Sequence, residues 1–586
     1  MFSFYLLNKI DKQKSKITEI GKNREDIIKK ILNEHQNLII DTGLFNTNFK
    51  YCVLNEFSDL EEKISGILIN SENFQALNLL TKKYKEKIKC CCIDPPYNTG
   101  GDEFLYKDGF NSSSWLSFMK DRLQLAHFLL NESGVIFTNI DDNEVGNLIK
   151  LKKQIFGEDF VETYIWDVRV QGQMPKTPKK TVRKEHEYII TGFKQEKVLN
   201  KYSSYKHKDK DWSNPDNDPR GPWMSANISR GSGKASGGSK SYTITNPKGE
   251  RFYRDWSVDE KEFKKLLLDN RIYFSNDGAG VPRKKIFKNE PVESMQSSIF
   301  EGLKSSQFGS KEIKKLFGKS ILQYPKPTNL IKRLCKIGSS KDDLIIDFFA
   351  GSGTTGHAIL SLNKKTNISR KFILVEMGSY FSTMLKPRIA KVIYSNKWKK
   401  GRPLNYEGIN KQIIKYHKFE QYEDTLNNIE FLKGKTEQKT LNSVDDYFLK
   451  YMLDFETKNS MSRLNIDCFK NPFNYILKVD DGGKIVEKKV DLVETFNYLI
   501  GLQVKEIKFF ENEVGKYIVV HGYNPNEVDV TVVWRDTENL DFKKDKNFVE
   551  DFILKKFPAE KIYINGDSHV ENGVPIEEEF MIQMGG

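Results

Sequence analysis

In the stretch from Lys87 to Asp94, the run Ile88-Lys89-Cys90-Cys91-Cys92-Ile93 is apolar at every position but one. A strand with one wet face alternates, so continuous apolarity marks a strand covered on both faces, as in a parallel sheet flanked by helices. The run ends abruptly at Pro95-Pro96, because neither proline has an N–H to give to a ladder. The three adjacent cysteines read as small buried thiols on that strand.

The flanking chain repeats the theme. Apolar runs at Gly66–Ile69, Gly134–Ile140 and 160–168 read as strands, and helical spacing marks 24–37, 72–85, Trp115–Asn131 and 143–156. After an interruption the alternation resumes: helix Asn329–Ile337, strand Leu344–Phe349, helix Thr354–Leu362, strand Phe372–Glu376 and a helix over 379–394. Strands alternating with helices of this length predict an α/β fold built on a mostly parallel sheet. Beyond about 400 the pattern is mixed α/β, with strands predicted near 474–479, 485–492, 516–522 and 528–534. The 586 residues divide into an N-terminal extension (1–60), a first sheet segment (61–168), an insert (169–320), a second sheet segment (321–400) and a C-terminal domain (401–586).

Composition narrows the class. Six cysteines without a C-x-x-C pair support neither a disulfide framework nor structural zinc, so a reduced, cytoplasmic protein with no metal is expected. No stretch approaches the roughly 18 uninterrupted apolar residues of a membrane span. Met1–Leu7 lacks the basic start and cleavage site of a signal peptide, and none is expected. The net charge is +13, and residues 165–300 hold 27 basic against 17 acidic side chains, so +10 of it lies in under a quarter of the chain. A positive surplus so localised is the footprint of a polyanionic partner. The same stretch carries the flexible basic segment Arg230–Lys240 and the aromatics Trp212, Trp223, Tyr242, Phe252, Tyr253, Trp256 and Tyr273.

Two motifs carry chemistry. Asp347-Phe348-Phe349-Ala350-Gly351-Ser352-Gly353-Thr354-Thr355-Gly356 joins a strand to a helix, with an acid, Glu376, ending the next strand. Glycines let the backbone approach a ligand, and such an acid suits a ribose diol. Alone, this fits a nicotinamide dehydrogenase, a flavoprotein or an S-adenosylmethionine enzyme equally well. Asp94-Pro95-Pro96-Tyr97 puts a carboxylate, a rigid turn and an aromatic ring at the carboxyl edge of the sheet, where open α/β sheets bind ligands. Gly318-Lys319-Ser320 is no phosphate loop, since that motif needs glycine at position 313, which is Ile.

Together these motifs resemble the amino-methylating DNA methyltransferases of the β class. The order matches: Asp94-Pro95-Pro96-Tyr97 first, a basic insert next, Phe349-Ala350-Gly351-Ser352-Gly353 last. With Asn139–Glu144, His186-Glu187-Tyr188-Ile189, Gly280–Arg283 and Tyr324-Pro325-Lys326-Pro327, the chain is similar over about 65–585 to Mod subunits of type III restriction–modification systems. The resemblance implies a Rossmann-like methyltransferase whose insert is a target recognition domain. It makes Asp94, Pro95, Pro96 and Tyr97 catalytic. Asp347, Phe349, Ala350, Gly351, Gly353, Glu376, Lys326 and Thr328 would bind S-adenosyl-L-methionine.

An exocyclic amine conjugated to a ring is a poor nucleophile, and acceptors for both its hydrogens, the Asp94 carboxylate and the Pro95 carbonyl, would localise its lone pair. Tyr97 would stack on a base flipped out of the duplex. Ring methylation of cytosine, which in its family takes a cysteine after proline, is excluded because the chain has no Pro-Cys pair. The implied reaction is adenine-N6 methylation of double-stranded DNA by a homodimer, with an ATP-dependent restriction (Res) subunit as partner. A solitary methyltransferase, a cytosine-N4 enzyme and a non-enzymatic DNA-binding subunit stay open. Phosphate contacts are expected from Lys176, Lys179, Lys180 and Arg183, and from Arg283, Lys284, Lys285 and Lys288.

Overall fold

The computed structural model describes residues 38–99, 111–169, 184–204, 212–230, 238, 240–290, 292–319, 325–409, 411–420, 424, 469–480 and 484–585. The helix expected over 24–37 lies outside them.

The continuous apolar runs become strands of one sheet. Its strands are β1 (Ile64–Asn70), β2 (Ile88–Ile93), β3 (Leu130–Ile140), β4 (Val161–Asp167), β5 (His186–Phe193), β6 (Ile299–Phe300), β7 (Leu344–Asp347), β8 (Lys371–Val375) and β9 (Ile413–Lys418). Their spatial order is β6-β4-β5-β3-β2-β7-β8-β1-β9. Only β5 runs against its neighbours, pairing antiparallel with β3 and β4. The connecting helices are α1 (Asn73–Tyr84), α2 (Ser112–Leu129), α3 (Val145–Phe156), α4 (Ser306–Phe317), α5 (Thr328–Gly338), α6 (Thr354–Thr366) and α7 (Lys386–Tyr394). The mostly parallel α/β sheet is as expected, and Cys90, Cys91 and Cys92 are buried on β2. No helix among the described residues is long and apolar enough to cross a membrane.

Two boundaries fall elsewhere than the sequence suggests. β9 pairs in parallel with β1, so the sheet continues past residue 400. Its Ile413-Ile414-Lys415-Tyr416-His417-Lys418 is an edge strand, half-buried and without the continuous apolarity of the centre. The C-terminal region builds a five-stranded sheet, and its Gln503–Glu511 strand, not foreseen, is masked in the sequence by four charges. Residues of that sheet (Val504, Ile507, Val520, Val532) and of α8 (Leu492–Leu499) share one hydrophobic core with Leu77 and Leu80 of α1.

The insert is narrower than 169–320. The separate compact unit is Lys201–Gln296, because His186–Phe193 is a strand of the main sheet and Ser306–Phe317 belongs with it. Within that unit, Trp223–Asn227, Ile272–Phe274 and Pro282–Phe287 form a three-stranded antiparallel sheet. Several of its aromatics are core. Tyr242 and Trp256 pack with Ile244, Phe263 and Leu266, and the Trp256 indole donates to the Tyr242 carbonyl at 2.8 Å. Gly318 ends α4 with φ +83°, a helix-terminating turn and nothing more.

Candidate active site

Strand adjacency creates the site. β2 and β7 are hydrogen-bonded neighbours, and β8 lies beside β7. The Asp94 motif and the glycine loop therefore leave adjacent strands at one carboxyl edge, with Glu376 one strand further on.

The Asp94 turn is held by side chains from two elements. Asn139 of β3 donates to the Ile93 carbonyl at 3.1 Å, and the Trp115 indole of α2 donates to the Pro96 carbonyl at 2.9 Å. Pro95 and Pro96 are buried. Beyond Tyr97, Asn98 adopts φ +60° and donates to Glu144 at 2.7 Å, which also accepts from Ser112 and Asn147. Glu144 is a buried anchor of this turn. Trp115→Phe deletes one donor without changing the ring's place. It is expected to leave the Pro96 carbonyl unpaired and cost about 1–3 kcal/mol of unfolding free energy in a denaturant melt; an unchanged midpoint would remove this role.

The glycine loop is tied to the same edge. Asp347 is buried; its carboxylate accepts from the Phe349 N–H at 3.0 Å and from the Thr355 hydroxyl at 2.5 Å. Burial pushes its pKa up to about 7, against those two hydrogen bonds and with help from Asp94 and Glu376. Glu376, also buried, accepts from the Gly351 N–H and the Gly378 N–H, each at 2.8 Å. Gly351 has φ +48°, and an added Cβ would meet nothing nearer than the Phe349 carbonyl at 4.0 Å, so bare backbone faces open space. The Phe349 ring sits 5.9 Å from that of Phe118, and Ala350 is buried. Gly353, at φ +75°, packs its backbone against Leu385.

Two further residues of the expected donor set have carboxylate partners. The Lys326 ammonium is 3.0 Å from Asp94 Oδ1 and 3.5 Å from Glu187 Oε2, beside the Asp94 turn. Burial alone would lower its pKa, but the two carboxylates outweigh that and hold the ammonium charged. Thr328 gives both its N–H and its hydroxyl to Glu312 of α4, at 3.1 and 2.6 Å.

Glu187 is the site residue that motif reading passed over. Its carboxylate accepts the Tyr97 hydroxyl at 3.1 Å. Burial, together with Asp94 and Glu187, pushes the Tyr97 phenol well above its usual value. The sequence signal was present in His186-Glu187-Tyr188. Only the reversed direction of β5 brings its start to this edge.

The basic residues of the insert separate. Lys176, Lys179, Lys180 and Arg183 lie outside the described residues. Lys288 is exposed, while Arg283 and Lys284 are half-buried and Arg283 donates to the Ser225 hydroxyl at 3.1 Å. Lys285 contradicts its expected role: it is 1% exposed, paired with Asp216 and 3.4 Å from Asp218, on the inner face of its strand. It cannot grip a phosphate there.

Residues 88–387, just over half of the chain, match the family profile described as DNA methylase. The chain is 33% identical over 349 residues to the StyLTI Mod subunit of a type III restriction–modification enzyme from Salmonella typhimurium, covering 54% of this chain and 53% of that one. It is 29% identical over 377 residues to the EcoPI Mod subunit from Escherichia phage P1, covering 53% and 57%. It is 29% identical over 382 residues to the type II methyltransferase M.KpnI from Klebsiella pneumoniae, covering 59% and 88%. The matches thus span about half the length of the two Mod subunits.

Proposed function

The chain belongs to the DNA methylase family, and from that membership we propose that it is a site-specific DNA adenine methyltransferase. In this reading it uses S-adenosyl-L-methionine to methylate N6 of an adenine flipped out of double-stranded DNA. It serves as the modification and specificity subunit of a type III restriction–modification system, as a homodimer with a Res partner. The carrying observation is that the Asp94 turn and the glycine loop share one edge on adjacent strands, β2 and β7.

The residues present suit the donor. Gly351 leaves a bare backbone face, Glu376 would hold the ribose hydroxyls and Asp347 would face the amino-acid end, with Phe349 and Ala350 walling the place. When bound, the sulfonium supplies an already activated methyl group, so catalysis is mostly positioning. The chain supplies that positioning: Asp94 and the Pro95 carbonyl accept the amine hydrogens, and the Trp115 and Asn139 bonds fix where those acceptors point. Tyr97 offers its ring to the base.

The test is to expose DNA to the purified protein with labelled donor and identify the modified nucleoside by mass spectrometry. N6-methyladenine is expected. N4-methylcytosine would move the target to the cytosine amine, and no modified base would overturn the reading. M.KpnI, of which 88% is covered, is a methyltransferase of type II, so a chain working without a Res subunit is the alternative. Co-purification of an ATPase subunit from the native host separates the two.

Asp347 gives the donor site a pH dependence. Its pKa near 7 is above the unfolded value, so the proton it holds stabilises the fold below about pH 4, and that contribution is lost as pH rises through 7. Donor binding runs the other way, since a cationic amino group needs the ionised carboxylate. Affinity for S-adenosylhomocysteine is expected to weaken up to about tenfold per unit below pH 7 and to level off above it. Calorimetry across pH 5–8 checks this; a slope that survives in Asp347→Asn would assign it to another group.

A further inference from the structure

One cation stands where the proposed reaction needs a nucleobase. The Lys326 ammonium is 3.0 Å from Asp94 Oδ1, the acceptor assigned to the amine, and 4.7 Å from the centre of the Tyr97 ring, the surface assigned to the base. It is 8% exposed. The ammonium is ion-paired with Asp94 and stands between Oδ1 and the Tyr97 ring, in the space the target amine and its base require. It would also place a positive charge beside a nitrogen that becomes cationic on taking the methyl group. Lys326 therefore has to leave Asp94 before transfer.

A second anchor lies within reach. Glu187 Oε2 is 3.5 Å from the same nitrogen. The backbone around Lys326 is clamped against α4: a Cβ at Gly309 would come within 1.9 Å of the Pro325 carbonyl oxygen, and Thr328 is tied twice to Glu312. Movement is thus left to the side chain, which needs only to turn from one carboxylate to the other.

We propose that Lys326 is a gate on this site: without a base its ammonium holds Asp94 and covers Tyr97, and the arriving target base displaces it onto Glu187. The proposal rests on the amino-methyltransferase reading for the identity of the displacing group. It makes Lys326 and Glu187 positioning residues that set how readily the base is accepted.

The probe is 9-ethyladenine, titrated calorimetrically into full-length protein saturated with S-adenosylhomocysteine. If the ammonium holds the site about nine-tenths of the time, Lys326→Met should tighten apparent affinity about tenfold. Glu187→Gln keeps an acceptor for the Tyr97 hydroxyl but removes the receiving charge, so binding should weaken in the wild-type background and not in Lys326→Met. Lys326→Arg keeps a cation with a stronger grip and should bind the probe more weakly than wild type; this arm stands if Lys326→Met fails to fold. Equal or weaker binding in folded Lys326→Met, equal or tighter binding in Lys326→Arg, or a Glu187→Gln effect independent of Lys326 would overturn the gate. So would loss of S-adenosylhomocysteine affinity in Lys326→Met with nucleobase binding unchanged. A wild-type protein that binds the probe as described but methylates no DNA would overturn the functional reading and leave the gate standing.

Discussion

Asp94→Ala is expected to lower methyl transfer about a thousandfold, the scale of losing a group that acts on the reacting amine, while the fold survives. Asp94 is partly open at the end of β2, and its neighbours are held by Trp115 and Asn139 independently of its carboxylate. Donor binding should persist, because Asp347 and Glu376 keep their own hydrogen bonds. Asp94 is also one of the charges raising the Asp347 pKa, so its removal should shift the pH dependence of donor binding to lower pH. Single-turnover methyl transfer and calorimetry on one preparation check both effects. Near-normal turnover would refute the assigned chemistry, and loss of donor affinity would show that the two motifs are not separable.

The second large effect concerns Lys285. Its ammonium is inside the Lys201–Gln296 unit, between Asp216 and Asp218, and 5.3 Å from the Trp223 ring. Breaking a buried ion pair is costly: Asp218 keeps its pair with Arg220, but Asp216 is left with the Trp223 indole alone. Lys285→Ala is expected to lower the melting temperature of this unit by about 10 °C or more and to lose DNA binding through unfolding. Lys284→Ala, on the less buried neighbouring position, should leave the melt unchanged, weaken binding to all DNA alike and reduce the salt dependence by about one phosphate contact. Thermal melts with salt-titrated binding of a mixed-sequence duplex separate the two. Equal behaviour of the variants would remove the distinction drawn from burial.

Adjacent lysines with opposite roles show where sequence reading reaches its limit. In Arg283-Lys284-Lys285 the charge pattern is uniform, and nothing local says that the third ammonium has two aspartates waiting some seventy residues earlier in the chain. Ion pairs across that separation exist only once the strand Pro282–Phe287 is placed.

Local patterns, by contrast, carried the framework. Continuous apolarity placed β2, β7 and β8, prolines ended β2 after Ile93, and the glycine run placed the turn after β7, because each depends on residues close in sequence. The two motifs and their order are likewise written in consecutive residues, which is why the family was legible. Tertiary structure decided three further matters. β5 runs backwards and so delivers Glu187 to the edge of Tyr97. Lys326, grouped by resemblance with the donor set, lies on Asp94. β9, too polar to stand out, completes the sheet beyond residue 400. In each case the deciding contact joins segments far apart in the chain, and strand direction or side-chain pairing across such distances is set by the packing of the whole sheet.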